Sequence, residues 1–528
     1  MITKEMINAT IREKVGFLFS MGSPSNFIDE KFDQRFSQLP FGGMSIYPYN
    51  IENKKQLLTL FSEVHDYYQK KGYEKPFLLA LDEEGGTLST LDRFFPSVPG
   101  NRALGLKKNP QLAYENGKLL GSMMAAHGVA IDWAPILDVN TNRKNSVIGV
   151  RSYGENTELV SEYGARYIQG IHDAGVAATA KHFPGHGETE ADSHLGSVTC
   201  SLSKEDIFTK IIPPFERAIE EGVDAIMVNH VIYDQVEESK GLPATMSHYW
   251  MTEILREKLG FTGVICTDDM EMNAIKDHFP ASEIGVLAVE AGVDQLLICH
   301  SPAFQQEVFN GLVAAVESGR ITEERIDESV ERLLQMKQAV KRYQLKAEPI
   351  PEVEWKEKAL DLAKQSLQLE RDPKHLLPLQ QERSYALILP DLEALTPADS
   401  TGGKQVPLAD KLSHLQVDTF SLSLKPTNEE IEELVKKVNE KEVVIIGTIN
   451  AHLFTEQQAL LRRLNHKDCI VLVLRDPYDC DVIPDEHTAV LICSTGESSM
   501  EPLHSNTVKA AGNGVEFICK QGKEIRNC

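Results

Sequence analysis

The sequence predicts an α/β protein, a (β/α)8 TIM-type barrel followed by a smaller three-layer α/β domain. Through the first two-thirds of the 528 residues, short apolar runs alternate with longer amphipathic ones, the pattern of βα units around a parallel sheet. Eight such units can be counted, the number that closes a barrel. Polar clusters stand directly after five of the apolar runs, where a barrel of this kind gathers its functional residues at the C-terminal ends of its strands.

Taken in order, the strand-like runs fall near 14–22, 42–47, 76–82, 128–137, 176–182, 224–230, 262–268 and 294–299. Helical patterns at 112–127, 157–174, 203–221 and 273–292 lie between them, and two more near 303–318 and 323–343 close the barrel. The polar clusters are Asp82-Glu83-Glu84, Asp138, Lys181-His182, Asn229-His230 and Asp268-Asp269. The barrel is expected over 1–345 and a linker over 346–372, where charge and proline concentrate around 345–356. The second domain is expected over 373–528, on strands at 385–389, 442–446, 469–474 and 489–493.

Composition bounds the function. The chain carries 54 Lys and Arg against 78 Asp and Glu, a net charge of −24 that argues against nucleic-acid or anionic-membrane partners. The N-terminus lacks the basic and apolar regions of a secretory signal, and no apolar run reaches the length of a membrane span. The eight cysteines are scattered, several in apolar strand-like runs, as expected for reduced buried thiols. These features together predict a cytoplasmic enzyme.

The stretch from Lys181 to His194 (KHFPGHGETEADSH) concentrates the chemistry. It holds three His, two Glu, one Lys and one Asp, with Pro184, Gly185 and Gly187, so it reads as neither an ordinary helix nor a central strand but as a movable loop. Its closing Asp192-Ser193-His194 pairs a carboxylate with an imidazole, a couple suited to proton transfer near neutral pH. Asp268 ends the run Gly263–Thr267 and should emerge at the barrel mouth, whereas alternation turns Asp269 away. A strand-end carboxylate with a separate acid/base is the equipment of retaining glycoside hydrolysis.

With DEEGG at 82–86, DWAPILDVN at 132–140, IGVRSYG at 148–154, IMVNHV at 226–231, LPATMS at 242–247 and VICTDDMEMNAI at 264–275, this loop resembles glycoside hydrolase family 3, in its NagZ-type β-N-acetylglucosaminidase branch. The resemblance spans the barrel in order. It implies release of terminal β-linked N-acetylglucosamine from cell-wall GlcNAc-MurNAc fragments or chitooligosaccharides, with a small carbohydrate as the partner and no cofactor. It also implies that Asp268 is the nucleophile, His194 the general acid/base and Asp192 its orienting partner. Asp82, Arg151, Lys181 and His182 resemble residues that bind the sugar, with His230 and Met227 as further candidates for the pocket wall.

Two departures stand out. The branch usually follows its acidic motif with EGG-R-V-x-R, but this chain reads Glu84-Gly85-Gly86-Thr87-Leu88-Ser89-Thr90, so Thr87 and Thr90 replace two arginines. Arg93 could substitute only in a rearranged loop. In the second domain, Leu376–Leu379 and Asp476-Pro477-Tyr478-Asp479 resemble family motifs, whereas the chain after Ser494 lacks the expected final helix pattern.

Three other readings fit the residues. His182-x3-His186 with Asp192-x-His194 could ligate a metal in a metal-dependent hydrolase. A neutral imidazole does not repel phosphate, so an Asp-His couple is compatible with phosphorolysis on the same fold. A barrel with drifted sugar contacts could be a non-catalytic binding protein.

Overall fold

The computed structural model describes residues 9–23, 25–190, 196–239, 241–391, 399, 408–412, 414–484 and 488–493. Its packing divides into two units. One comprises Met1–Glu84, Pro110–Ile148 and Ser152–Glu352, and the other Gly85–Asn109, Gly149–Arg151 and Val353–Cys528.

The first unit is the expected barrel. Its strands are β1 (Phe19–Gly22), β2 (Gly43–Ser45), β3 (Leu78–Leu81), β4 (Ile131–Asp132), β5 (Ala177–Phe183), β6 (Ala225–Val228), β7 (Val264–Thr267) and β8 (Leu296–Ile298). They pair in parallel in sequence order, β8 pairs back onto β1, and a bridge from Cys266 to Gln295 joins β7 to β8. The strands are buried along their whole length, which is why their sequences are continuous apolar runs rather than alternating ones.

Several boundaries differ from the sequence reading, each for a local reason. Residues 14–17 belong to a helix, Ile11–Phe17, because Thr10 and Glu13 form a capping box that starts it before β1. The long run 128–137 yields only the two-residue β4, since Pro135 has no N–H for the ladder. The pattern at 273–292 is interrupted by Pro280, giving helices Asn273–Lys276 and Ala281–Ala291. The loop read as starting at Lys181 starts only at Pro184, because Lys181 and His182 belong to strand β5, as the run 176–182 predicts.

In the second unit a six-stranded sheet runs in the order β9 (Gln368–Arg371), β14 (Thr488–Ile492), β13 (Asp468–Val473), β12 (Val443–Thr448), β10 (Ser384–Pro390), β11 (Gln416–Leu422). Only β9 is antiparallel to its neighbour. Alternate residues feed two cores. Tyr385, Leu387, Val443, Ile445, Ile470 and Leu472 face Leu376, Leu412 and Leu424 on one side, while Ala386, Ile388, Val444 and Val471 face Ile431, Leu434, Leu460 and Leu464 of two helices on the other. This is the predicted three-layer arrangement. The expected linker 346–372 instead holds helix Glu352–Ser366 and strand β9.

Residues 85–109 and 149–151, expected in the barrel, sort with the second unit. The Arg151 carbonyl accepts a 2.7 Å hydrogen bond from Asn101 Nδ2, the Phe95 ring lies 6.1 Å from that of Trp355, and the Arg102 guanidinium stands 5.2 Å over the Tyr478 ring. Among the described residues no helix is long and apolar enough to cross a membrane, and the six described cysteines are free thiols. The stretch after Ser494 lies outside the described residues.

Candidate active site at the barrel mouth

Asp82 directly follows β3, Lys181 and His182 lie at the end of β5, and Asp268 follows β7. Lys181 Nζ lies 2.8 Å from Asp82 Oδ1 and 2.6 Å from Glu84 Oε1. The ammonium and Glu84 are fully buried, while Asp82 keeps 23% of its side chain exposed. Two carboxylates on one buried ammonium compensate its burial and leave Asp82 as the open edge of the cluster.

His182 is oriented by Asp138, a residue that the sequence marked only as polar after an apolar run. Asp138 Oδ2 accepts from His182 Nδ1 at 2.7 Å and from the His182 backbone N at 3.2 Å, and its Oδ1 accepts from the His186 backbone N at 2.6 Å. Burial opposes the charge of Asp138, but the His182 imidazole and the His186 backbone hold its carboxyl below the usual carboxylate range. An ionised acceptor on Nδ1 fixes the tautomer, so Nε2 of a neutral His182 is the acceptor nitrogen. Burial pushes the neighbouring His186 down to about 4, so at neutral pH that imidazole is uncharged.

The stretch after β5 is anchored up to Thr189 rather than loose. Tyr233 Oη donates to the Gly185 carbonyl at 2.6 Å, and Asn145 Nδ2 donates to the His186 carbonyl at 2.8 Å. Gly187 sits so close to the chain at Val139 that a Cβ there would lie 1.9 Å from the Val139 carbonyl oxygen. Asp192 and His194, expected as the acid/base couple, lie outside the described residues.

Asp268 and Asp269 differ in their contacts. Asp269 Oδ1 accepts from the backbone N of Glu271 and of Cys299, each at 3.2 Å, and its Oδ2 lies 3.1 Å from His300 Nε2. Asp268 Oδ1 accepts from the Asp269 backbone N at 2.8 Å, and its side chain is half-buried. His230 has both ring nitrogens engaged, Nδ1 with Thr245 Oγ1 at 2.9 Å and Nε2 with the Asp269 carbonyl at 3.0 Å, so it braces the segment that carries Asp268. Met227 is buried on β6, in register with Cys266.

Arg151, buried, belongs to the second unit, as do Thr87 and Thr90, which are also buried. Arg93 is exposed, with its guanidinium 5.6 Å from the Phe94 ring centroid. Among the described residues no group of three His, Cys, Asp or Glu side chains could hold a metal. Of the ligands in the metal reading, His182 Nδ1 faces Asp138 and His186 Nδ1 lies 2.8 Å from Thr189 Oγ1.

The comparisons with known proteins fall on the same residues. The family described as "Glycosyl hydrolase family 3 N terminal domain" matches residues 10–336. A β-hexosaminidase of Tolumonas auensis is 36% identical over 276 residues, 51% of this chain and 79% of the relative. One from Nitrosomonas eutropha is 32% identical over 304 residues, 56% of this chain and 85% of that one. A solved structure of a glycoside hydrolase family 3 β-N-acetylglucosaminidase from Paenibacillus sp. strain FPU-7 superposes with a TM-score of 0.87 at 32% identity, covering 97% of both chains, so the likeness includes the second unit. By its sequence, its barrel and these relatives, the chain belongs to glycosyl hydrolase family 3, on its NagZ-type branch, and is a glycoside hydrolase.

Proposed function

We propose that this chain is a retaining exo-β-N-acetylglucosaminidase that removes terminal β-linked N-acetylglucosamine from cell-wall GlcNAc-MurNAc fragments or chitooligosaccharides. In this reading Asp268 attacks the anomeric carbon while His194 gives its proton to the departing glycosidic oxygen. A water then attacks the glycosyl-enzyme ester, losing its proton to His194, and Asp268 leaves as a carboxylate. Asp192 orients His194 and stabilises the imidazolium that gives up its proton in the first step and is re-formed in the second. Asp82, Lys181 and His182 take the sugar hydroxyls in the barrel, with Arg151 as a further contact. The reading places the enzyme in the cytoplasm, acting on recycled wall fragments, without a cofactor.

The observation that carries the assignment of the nucleophile is the contrast between the two aspartates. Asp269 has both oxygens committed to Glu271, Cys299 and His300 in its own loop, whereas Asp268 is the residue that directly follows β7, where a barrel strand delivers its side chain to the mouth. Nitrophenol release from the β-N-acetylglucosaminide, with the β-glucoside as control, tests the function. Turnover of the N-acetyl sugar, unaffected by chelator and by phosphate and reduced by roughly 10⁴-fold or more in Asp268→Ala, is expected. Equal activity in Asp268→Ala, or cleavage of the glucoside alone, would sink it.

A further inference from the structure

The ends of β2 and β8 carry an aromatic cluster that no step above uses. Tyr47 and Tyr49 flank Pro48, and their rings stack with centroids 5.6 Å apart at 13°. The His300 ring completes the group at 5.4 Å from Tyr47 and 5.7 Å from Tyr49. Tyr49 is 52% exposed, which makes it one of the few large side chains left in water on this unit.

The cluster is rigid and it is tied to the segment that bears Asp268. The Tyr47 backbone N donates to Asn50 Oδ1 at 3.1 Å, and Asn50 Nδ2 donates to the Ser23 carbonyl at 2.9 Å, which fixes the Tyr-Pro-Tyr turn. Tyr47 Oη donates to Cys299 Sγ at 2.7 Å and Tyr49 Oη to the Cys299 carbonyl at 3.0 Å. Tyr49 Oη also lies 3.2 Å from His300 Nδ1, and His300 Nε2 meets Asp269 Oδ2, one residue from Asp268. Glu271 pins the same loop by accepting from the backbone N of His300 at 2.6 Å and of Ser301 at 2.8 Å.

A prebuilt, half-exposed ring stack suits one kind of ligand. The axial C–H groups give a pyranose an apolar face that gains by leaving water against an aromatic plane, and a fixed plane spares the entropy of ordering it. We propose that Tyr47, Tyr49 and His300 form the platform for the leaving-group sugar, a neutral hexopyranose such as the second unit of a chitooligosaccharide. This rests on the glycosidase reading of Asp268 and deepens it by naming the aglycone.

The test compares two β-glycosides of N-acetylglucosamine, N,N′-diacetylchitobiose, whose aglycone is a second sugar, and the methyl β-glycoside, which lacks one. The platform predicts that Tyr49→Ala lowers kcat/KM for chitobiose about tenfold relative to the methyl glycoside, mainly through KM, while Tyr49→Phe keeps the wild-type ratio. An unchanged ratio in Tyr49→Ala, or loss of the ratio in Tyr49→Phe as well, would overturn the platform while leaving the glycosidase intact. Failure of the wild type to cleave either compound would instead overturn the function on which the platform rests.

Discussion

At the scale of single residues, the site depends on how the barrel distributes charge among groups taken out of water. Asp138 serves two backbone amides and one imidazole at once, and its neighbour His186 is buried enough to stay neutral down to about pH 4. The unfolded chain binds a proton at His186 below about pH 6.5, whereas the folded chain resists it, so the unfolded state holds more protons in between. Stability contributed by the neutral ring is therefore complete above about pH 6.5 and is lost as pH falls toward 4, a shift worth about 3 kcal/mol. Urea midpoints measured between pH 7.5 and 4.5 should fall more steeply for the wild type than for His186→Gln. Parallel lines for the two proteins would show that His186 does not govern that window.

At the scale of elements, each boundary is set by a backbone requirement, and the clearest is Gly187. An added methyl there would collide with the Val139 carbonyl, so the chain after β5 would have to move away from the chain that follows Asp138. Gly187→Ala should cost about 1–3 kcal/mol in denaturation and weaken sugar binding, because the His186 backbone N beside it is bonded to Asp138, which orients His182. A variant with wild-type stability and KM would show that the close approach is dispensable. The eight barrel strands were legible in the sequence because burial on both faces makes them uniformly apolar. Strand β11 was not, since its exposed pattern leaves no apolar run, and helix Ile11–Phe17 was hidden because its core-facing Val15 and Phe17 merge with the apolar residues of β1. In the site, Lys181, His182 and Asp268 could be placed from their positions at strand ends. The role of Asp138 and the commitment of His230 to Thr245 and Asp269 could not, because both depend on contacts between segments distant in sequence. The aromatic cluster had a local trace, Tyr47-Pro48-Tyr49 and Cys299-His300-Ser301 just after two strands, but no periodicity that would flag it.

At the scale of the whole molecule, the net charge of −24 acts over the entire surface. Self-repulsion disfavours the folded state and salt screens it, so Tm should rise between 10 mM and 300 mM NaCl. The same field repels anionic wall fragments more than neutral chitooligosaccharides, so kcat/KM for a peptide-bearing fragment should climb with salt while that for chitobiose stays level. A common salt response for both substrates would exclude long-range repulsion as a factor in substrate choice. The sheet of the second unit raises a different matter, that of solubility. Strand β11 pairs with β10 alone among the described strands, and its outer edge could recruit the same edge of another molecule. Its exposed residues Gln416, Asp418, Thr419 and Ser421 are all polar, and Asp418, its one charged residue, lies 2.6 Å from Lys441 Nζ. The strand that was hardest to read from the sequence is thus hard to read because of the residues that keep one copy from adding to the next.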